Sequence, residues 1–190
     1  MTRDDFEKGI DYVCGVDVSY NGRIASASAV VVRKIDLKVI EIVITKNEIK
    51  HPYLPGLLVL RELDPVLETL KLLKNSFQLL LVDGHGVLHP RRCGLASYVG
   101  VITNNPTIGV AKNLLYGTVG ADDFVRYDGN MLGFAIKREK HSRKTIYIST
   151  GHRESLSTSI QLVKALTRSG NFIPKPLKIA DFVSKNFCEL

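Results

Sequence analysis

Hydrophobic and polar positions follow two rhythms along this chain, one of period two and one near 3.6. Residues 13–20, VCGVDVSY, are rich in β-forming side chains and run into the turn pair Asn21-Gly22. Residues 24–33 and 39–45 predict two more strands, separated by the polar stretch 34–38. Links this short predict an antiparallel meander. The loop 47–56 carries Pro52 and Pro55, which break regular structure. Asp64-Pro65 then predicts a helix start, with Asp as cap and Pro at the first helical position. Val66, Leu67, Leu70 and Leu73 follow at helical spacing, and Glu62 falls just ahead of that start.

Residues 79–82 are an unbroken apolar run ending at Asp83, the pattern of a strand buried on both faces. Helical sequence at 93–103 and a short buried strand at 107–110 come next. Strands are expected at 131–136 and 145–149, around the polar segment 137–144. Leu156, Ile160, Val163 and Leu166 predict an amphipathic helix, with Ser155 as its cap and Gly170 as its stop. Three strands followed by alternating helices and strands predict one α/β domain over residues 1–190. Its sheet is expected to be mixed, three antiparallel strands followed by parallel ones, flanked by helices.

Composition narrows this only slightly. An apolar fraction of 45% and a charged fraction of 24% are those of a soluble globular protein. The formal net charge of +7 favours a polyanionic partner, because Lys and Arg displace counterions from phosphates. Cys14, Cys93 and Cys188 stand far apart with no CxxC pair, against a disulfide framework or structural zinc. The opening MTRDDFEKGI has charges where a signal peptide needs an apolar core, and no apolar stretch is long enough for a bilayer. The expectation is a cytoplasmic, monomeric protein with no membrane association.

Candidate chemistry starts with two carboxylates. Asp17 is flanked by valines within its strand, and Asp83 ends a run of four apolar residues. A carboxylate among such neighbours loses hydration and needs a cation or hydrogen-bond donors. If adjacent strands bring the two together, their repulsion raises a pKa unless a metal compensates, and magnesium suits hard oxygen ligands. The alternative is structural, an N-cap or a buried pair with a lysine; with Glu62 also available the two readings balance. The segment DGHGVLHPRRCGLAS, 83–97, tips the balance. Gly84 and Gly86 let backbone approach a ligand closely, and Arg91 and Arg92 can grip phosphate oxygens while His89 donates to a base or phosphate.

Together these blocks resemble the endonuclease V family: GVDVSY (15–20), PYLPG (52–56), RE (61–62), VDGHGVLHPRRCGLAS (82–97), PTIGVAK (106–112) and TGHR (150–153), in family order across nearly the whole chain. The resemblance implies a ribonuclease H-like fold. It implies that Asp17, Glu62 and Asp83 hold a divalent metal, magnesium with manganese as substitute, and that His152 completes the site. It implies a strand-separating wedge at Pro52, Tyr53, Leu54 and Pro55, and a pocket for hypoxanthine built largely of backbone near Gly56, Leu58, Gly84, Gly86, His89 and Leu115. Lys112 would neutralise the scissile phosphate as charge develops. The implied reaction is hydrolysis of the second phosphodiester bond 3′ to a deaminated purine in DNA, leaving a 3′-hydroxyl and a 5′-phosphate, with RNA preferred by some members.

Two other classes compete. A catalytically silent nucleic-acid-binding module on the same fold would keep the wedge and lose the acids, yet all three carboxylates and Lys112 are present. An actin-like phosphotransferase also opens with an Asp on its first strand, but it needs glycine-rich phosphate turns where this chain has VSYNGRI.

Overall fold

A computed structural model describes residue 4 and residues 9–52, 54, 56–137, 144–167 and 172–188. The first three strands, β1 (Tyr12–Asn21), β2 (Ile24–Arg33) and β3 (Val39–Glu48), form the expected antiparallel meander. After α1 (Val59–Lys71), β4 (Leu79–Asp83) pairs parallel with β1; after α2 (Leu95–Thr103), β5 (Thr107–Ala111) pairs parallel with β4. Four further strands follow: β6 (Thr118–Val119), β7 (Phe124–Tyr127), β8 (Asn130–Lys137) and β9 (Thr145–His152). They extend the sheet antiparallel from β5, giving the order β3-β2-β1-β4-β5-β9-β8-β7-β6. Two helices close the chain, α3 (Leu156–Ala165) and α4 (Lys175–Cys188). No helix of the described residues is long and apolar enough to cross a membrane.

Alternation along the central strands builds one core on each face of the sheet. Val13, Leu79, Leu81, Ile108 and Ile148 face Leu162, Val163, Leu166, Leu177 and Ala180 of the α3–α4 layer. Cys14, Val16, Leu80 and Val82 face Val66, Leu95, Ala96 and Val99 of the α1–α2 layer. This is why β4 reads as an unbroken apolar run: both parities are buried. Cys14 packs as a small hydrophobe, and burial pushes its thiol well above the ordinary range.

Two helices differ from what the pattern predicts, and β6 and β7 lie where it predicts no strand. The helix expected to start at Asp64-Pro65 begins at Val59 and carries Pro65 inside it. Leu58 supplies the start instead, its carbonyl accepting from the Arg61 and Glu62 amides at 3.0 Å each. An interior proline costs about 3 kcal/mol in an isolated helix. Here Pro65 is buried with Glu62, Val66 and Thr69 on one face, and the Thr69 hydroxyl donates to the Pro65 carbonyl at 2.7 Å. Burial of that face outweighs propensity, and Glu62 thereby sits on the first turn of a helix rather than ahead of one. The second difference is α4, where no helix was expected. Its N-terminal stretch crosses β1 closely at Gly15, where a Cβ would stand 2.6 Å from the Pro176 carbonyl carbon. The Ser155 cap of α3 is as expected, accepting from the Thr158 amide at 3.2 Å, whereas Gly170 lies outside the described residues.

Candidate active site

Register dictates where the acids meet. Val16 pairs with Val82, so the next residues, Asp17 and Asp83, emerge together on the α4 side of two parallel strands. This is the carboxyl end of β4, the usual ligand edge of an α/β sheet. α4 brings a third acid. Ligand oxygens of Asp17, Asp83 and Asp181 all lie within 4.8 Å of one another. Glu62 reaches the same cavity from the α1 layer and is held by the Tyr20 hydroxyl, which donates to Oε1 at 2.7 Å. The Arg61 guanidinium lies 3.9 Å above the Tyr20 ring centroid.

Asp17 is 7% exposed and Glu62 6%. Burial, followed by the neighbouring Asp83 carboxylate, pushes Asp17 up to about 8, against the opposing hydrogen bond from Ser184. Burial likewise pushes Glu62 up to about 8, with the Tyr20 hydrogen bond opposing. The Ser184 hydroxyl donates to Asp17 Oδ2 at 2.7 Å and stands 2.7 Å from the Ser19 hydroxyl. Lys112 bridges two acids, its Nζ 2.6 Å from Asp83 Oδ2 and 2.8 Å from Asp181 Oδ1. Burial works against its charge, but the carboxylates outweigh it and hold Lys112 above its ordinary value. Lys185 grips both oxygens of Asp181, at 2.8 and 2.7 Å. Burial would raise Asp181, and these two lysines hold it below the ordinary range instead.

This donor set fits a divalent cation. Three carboxylates from three elements converge, two acids are desolvated enough to prefer a proton to a bare charge, and every donor is a hard oxygen. A lysine already spans the acids where positive charge is needed.

Beside the acids lies a second cavity of about 370 Å³, and the two share Leu58, Asp83 and Lys112. Its walls include Gly56, Gly84, His89, Arg91 and Leu115. The Arg91 amide donates to His89 Nδ1 at 3.2 Å, so Nδ1 accepts and the hydrogen belongs on Nε2, which donates to the Gly56 carbonyl at 3.1 Å. Arg91 Nη1 donates to that same carbonyl at 3.0 Å. Burial also keeps His85 neutral, at about 4, with its Nε2 2.9 Å from the Asn113 carbonyl. The cavity is therefore lined by neutral rings, backbone and aliphatic carbons, apart from Arg91 and the shared Asp83 and Lys112.

Two expected positions fall elsewhere. His152 ends β9 and pairs with Thr107, at the far end of β5 from Val110, which pairs with Asp83. Three residues of strand separate the two levels, roughly 10 Å by strand rise. His152 instead packs at Gly100 of α2, where a Cβ would stand 2.5 Å from the His152 Cβ. The structure does not bring His152 to the acids; Asp181 of α4 is the residue that joins Asp17 and Asp83 there. Gly86 does not line the cavity: a Cβ there would lie 1.9 Å from the Thr150 carbonyl, so it serves a backbone crossing. Arg92, expected as a phosphate contact, is exposed at φ 54 next to Arg91 of the cavity wall. Of the expected wedge, Pro52 and Leu54 are exposed, while Tyr53 and Pro55 lie outside the described residues.

Comparison with known proteins decides the family. The family model described as Endonuclease V matches residues 1–182. The chain belongs to the endonuclease V family. An endonuclease V of Thermofilum pendens is 40% identical over 184 residues, covering 95% of this chain and 79% of its own length. One from Trichormus variabilis is 36% identical, covering 98% and 87%. The catalytic domain of human endonuclease V superimposes with a TM-score of 0.87 at 34% identity, over 98% of this chain and 89% of that one. Ciona intestinalis endonuclease V, in complex with a 24mer DNA containing an inosine followed by a ribo-adenosine, gives 0.85 at 32% identity, over 98% and 91%. The mixed sheet flanked by helices is thus that of endonuclease V structures, and the chain is an endonuclease by family.

Asp181 escaped the sequence reading because its helix did. The signal was there: Leu177, Ala180 and Ser184 recur at helical spacing after Pro174 and Pro176, with Asp181 and Lys185 at i and i+4.

Proposed function

We propose that this endonuclease is metal-dependent, recognises a deaminated purine in a nucleic-acid strand, and hydrolyses the second phosphodiester bond on its 3′ side. The observation that supports this most is adjacency: a desolvated carboxylate cluster adjoins a largely neutral cavity through Asp83 and Lys112. The inosine-containing DNA bound by the Ciona relative supports the same substrate class.

Asp17, Asp83 and Asp181 would hold the cation, with Glu62 at the rim; magnesium fits the all-oxygen set, and manganese would substitute. When bound, the metal supplies Lewis acidity at the phosphate and a more acidic water. The protein's own groups do the remaining work. Ser184 fixes the rotamer of Asp17 by donating to Oδ2. Tyr20 does the same for Glu62. Lys112, whose ammonium spans two acids, would turn to a phosphate oxygen when a cation takes over that role, opposing negative charge as it builds. Across the shared wall, Gly56 and Gly84 leave room for a flat base, and His89 is held neutral against the Gly56 carbonyl. Backbone groups there would read the O6 and N1 edge created by deamination and exclude the adenine amino group. Pro52 and Leu54 stand exposed beside Gly56, where a stiff apolar loop would wedge a base step open at a cost of about a few kcal/mol.

One assay tests the reading. Oligonucleotides carrying a single inosine, or adenosine in its place, are offered as single-stranded RNA, single-stranded DNA and duplex DNA, with and without magnesium. The expected outcome is magnesium-dependent cutting at one site 3′ to inosine only. Equal cutting of the adenosine strands would remove the pocket assignment, and binding without any metal-dependent nick would return the silent module. Comparison among the three inosine substrates decides the preferred sugar.

A further inference from the structure

We propose that the stripe formed by Lys178, Phe182 and Lys185 on α4 is a landing surface for the strand just 3′ of the cut, with Phe182 stacking against a base. The proposal rests on the function argued above and goes beyond it by naming where the downstream strand binds.

Phe182 is 66% exposed on a helix whose Leu177 and Ala180 are buried at 2% and 0%. Among the described residues its ring has no aromatic or cationic partner, although Phe187 on the same helix carries Lys46 at 4.9 Å. A ring left this bare is a poor core element and a good stacking face. Positions 178, 182 and 185 stand at i, i+4 and i+7, so the ring lies between two lysines along one face. Both lysines are exposed, and Lys185 also lines the acid cavity while pairing with Asp181 at 2.7 Å. Alternating cation and aromatic ring is the arrangement that tracks a single-stranded backbone and stacks its bases without reading them.

Continuity fixes which part of the strand arrives there. The base cavity and the acid cluster share Leu58, Asp83 and Lys112, and α4 bounds the cluster on its other side through Asp181 and Lys185. A strand with its altered base in the cavity and its second 3′ phosphate at the acids must leave over α4. Phe182 is the residue directly after Asp181. The occupant is thus the nucleotide downstream of the scissile bond, and the net charge of +7 suits it.

The test uses the full chain with metal chelated, so that binding is measured without cutting. Dissociation constants are taken for inosine-containing single strands that stop at the scissile bond or run about six nucleotides further. Phe182→Ala is expected to weaken binding of the longer strand about tenfold, and that loss disappears on the shorter one. Phe182→Trp keeps the affinity, because it offers a larger π face, while Phe182→Leu does not. Lys178→Gln lowers the salt dependence of the longer strand by about one unit of slope. An equal loss on both lengths, no loss on either, or full affinity with Phe182→Leu overturns the platform. Failure of the wild type to distinguish inosine from adenosine strands overturns the functional reading instead, and the dependence on strand length separates the two.

Discussion

The two cavities that meet at Asp83 and Lys112 are built on opposite principles. The acid site gathers acids from four distant stretches of chain, β1, α1, β4 and α4, and each is held by a partner from another part of the chain: Asp17 by Ser184, Glu62 by Tyr20, Asp83 and Asp181 by Lys112. The neighbouring cavity draws mostly on the segments 56–59, 83–95 and 111–115; His89 and Arg91 are satisfied there by the Gly56 carbonyl, while the buried His85 Nδ1 has no hydrogen-bond partner among the described residues. One site stores electrostatic stress that a cation relieves. The other is lined largely by neutral groups. The difference teaches where chemistry and recognition separate: truncation on the acid side should abolish cutting, and truncation on the cavity side should alter what is bound.

The sharpest way to break this comparison is at the shared residue. Asp83→Ala is expected to lower cutting of an inosine strand by on the order of a thousandfold or more, since one of three converging ligands is lost. Binding of the same strand should stay within about threefold, because the cavity keeps its glycines and His89. Near wild-type cutting would remove Asp83 from the metal site, and lost binding would make the two cavities one functional unit. Asp181→Asn comes next. It keeps the shape but leaves Lys112 and Lys185 without their shared anion. Cutting is expected to fall by about 10–100-fold, with a matching rise in the magnesium concentration needed for half activity. A variant with unchanged magnesium dependence would take Asp181 out of the ligand set.

The same contrast explains what the sequence made legible. Much of the cavity wall comes from one block, 83–95, after a doubly buried strand, so DGHG and HPRR could be read along the chain, and of the residues expected in the pocket all but Gly86 line the cavity. Its role is invisible locally because it depends on β9 crossing within van der Waals distance of a glycine. Asp17 and Asp83 were legible because valines and leucines surround them in sequence. Asp181 was not, since the core residues that precede it on α4, Leu177 and Ala180, define a face only once α4 is seen to be a helix. The strands β6 and β7, of two and four residues, were missed because so short a run carries no periodicity, and Asp122-Asp123 interrupts it. The early start of α1 was hidden by Pro65, whose burial overrides the usual meaning of a proline.

Stability against pH separates the stressed acid site from the largely neutral cavity. Asp17 and Glu62 have folded values raised to about 8, from ordinary values of 3.8 and 4.5. The metal-free folded chain therefore holds protons there that the unfolded chain gives up. Stability from this source is fully present below about pH 4 and is lost as pH rises toward 8 and beyond. A cation prefers the deprotonated acids, so it should stabilise more at pH 8.5 than at pH 5.5. At about a hundred times its dissociation constant, magnesium adds about 2.7 kcal/mol, or roughly 5–11 °C in Tm for a chain of this size. Glu154, raised to about 8 by burial and then by Asp4, contributes the same slope from a site far from the acids. Glu154→Gln should flatten part of the pH dependence without touching the magnesium effect. Equal stabilisation by magnesium at both pH values would contradict the stressed state of the acid site.

The smallest expected effect falls on His152, and it is informative because the motif around it, TGHR, invites the opposite expectation. Register places it with Thr107, three strand positions from the level of Asp83, and its Cβ packs at Gly100 rather than toward the acids. Burial, then Arg153, keeps its imidazole below the ordinary range. His152→Asn should therefore leave the half-saturating magnesium concentration within about twofold, whatever it does to Tm. Packing predicts a loss of stability of about 1 kcal/mol or less for a half-buried ring replaced by a polar side chain of similar reach. Loss of magnesium affinity at unchanged Tm would mean that β9 approaches the cluster in the working enzyme, and the division between a charged site built by α4 and a cavity built by the 83–95 loop would have to be redrawn.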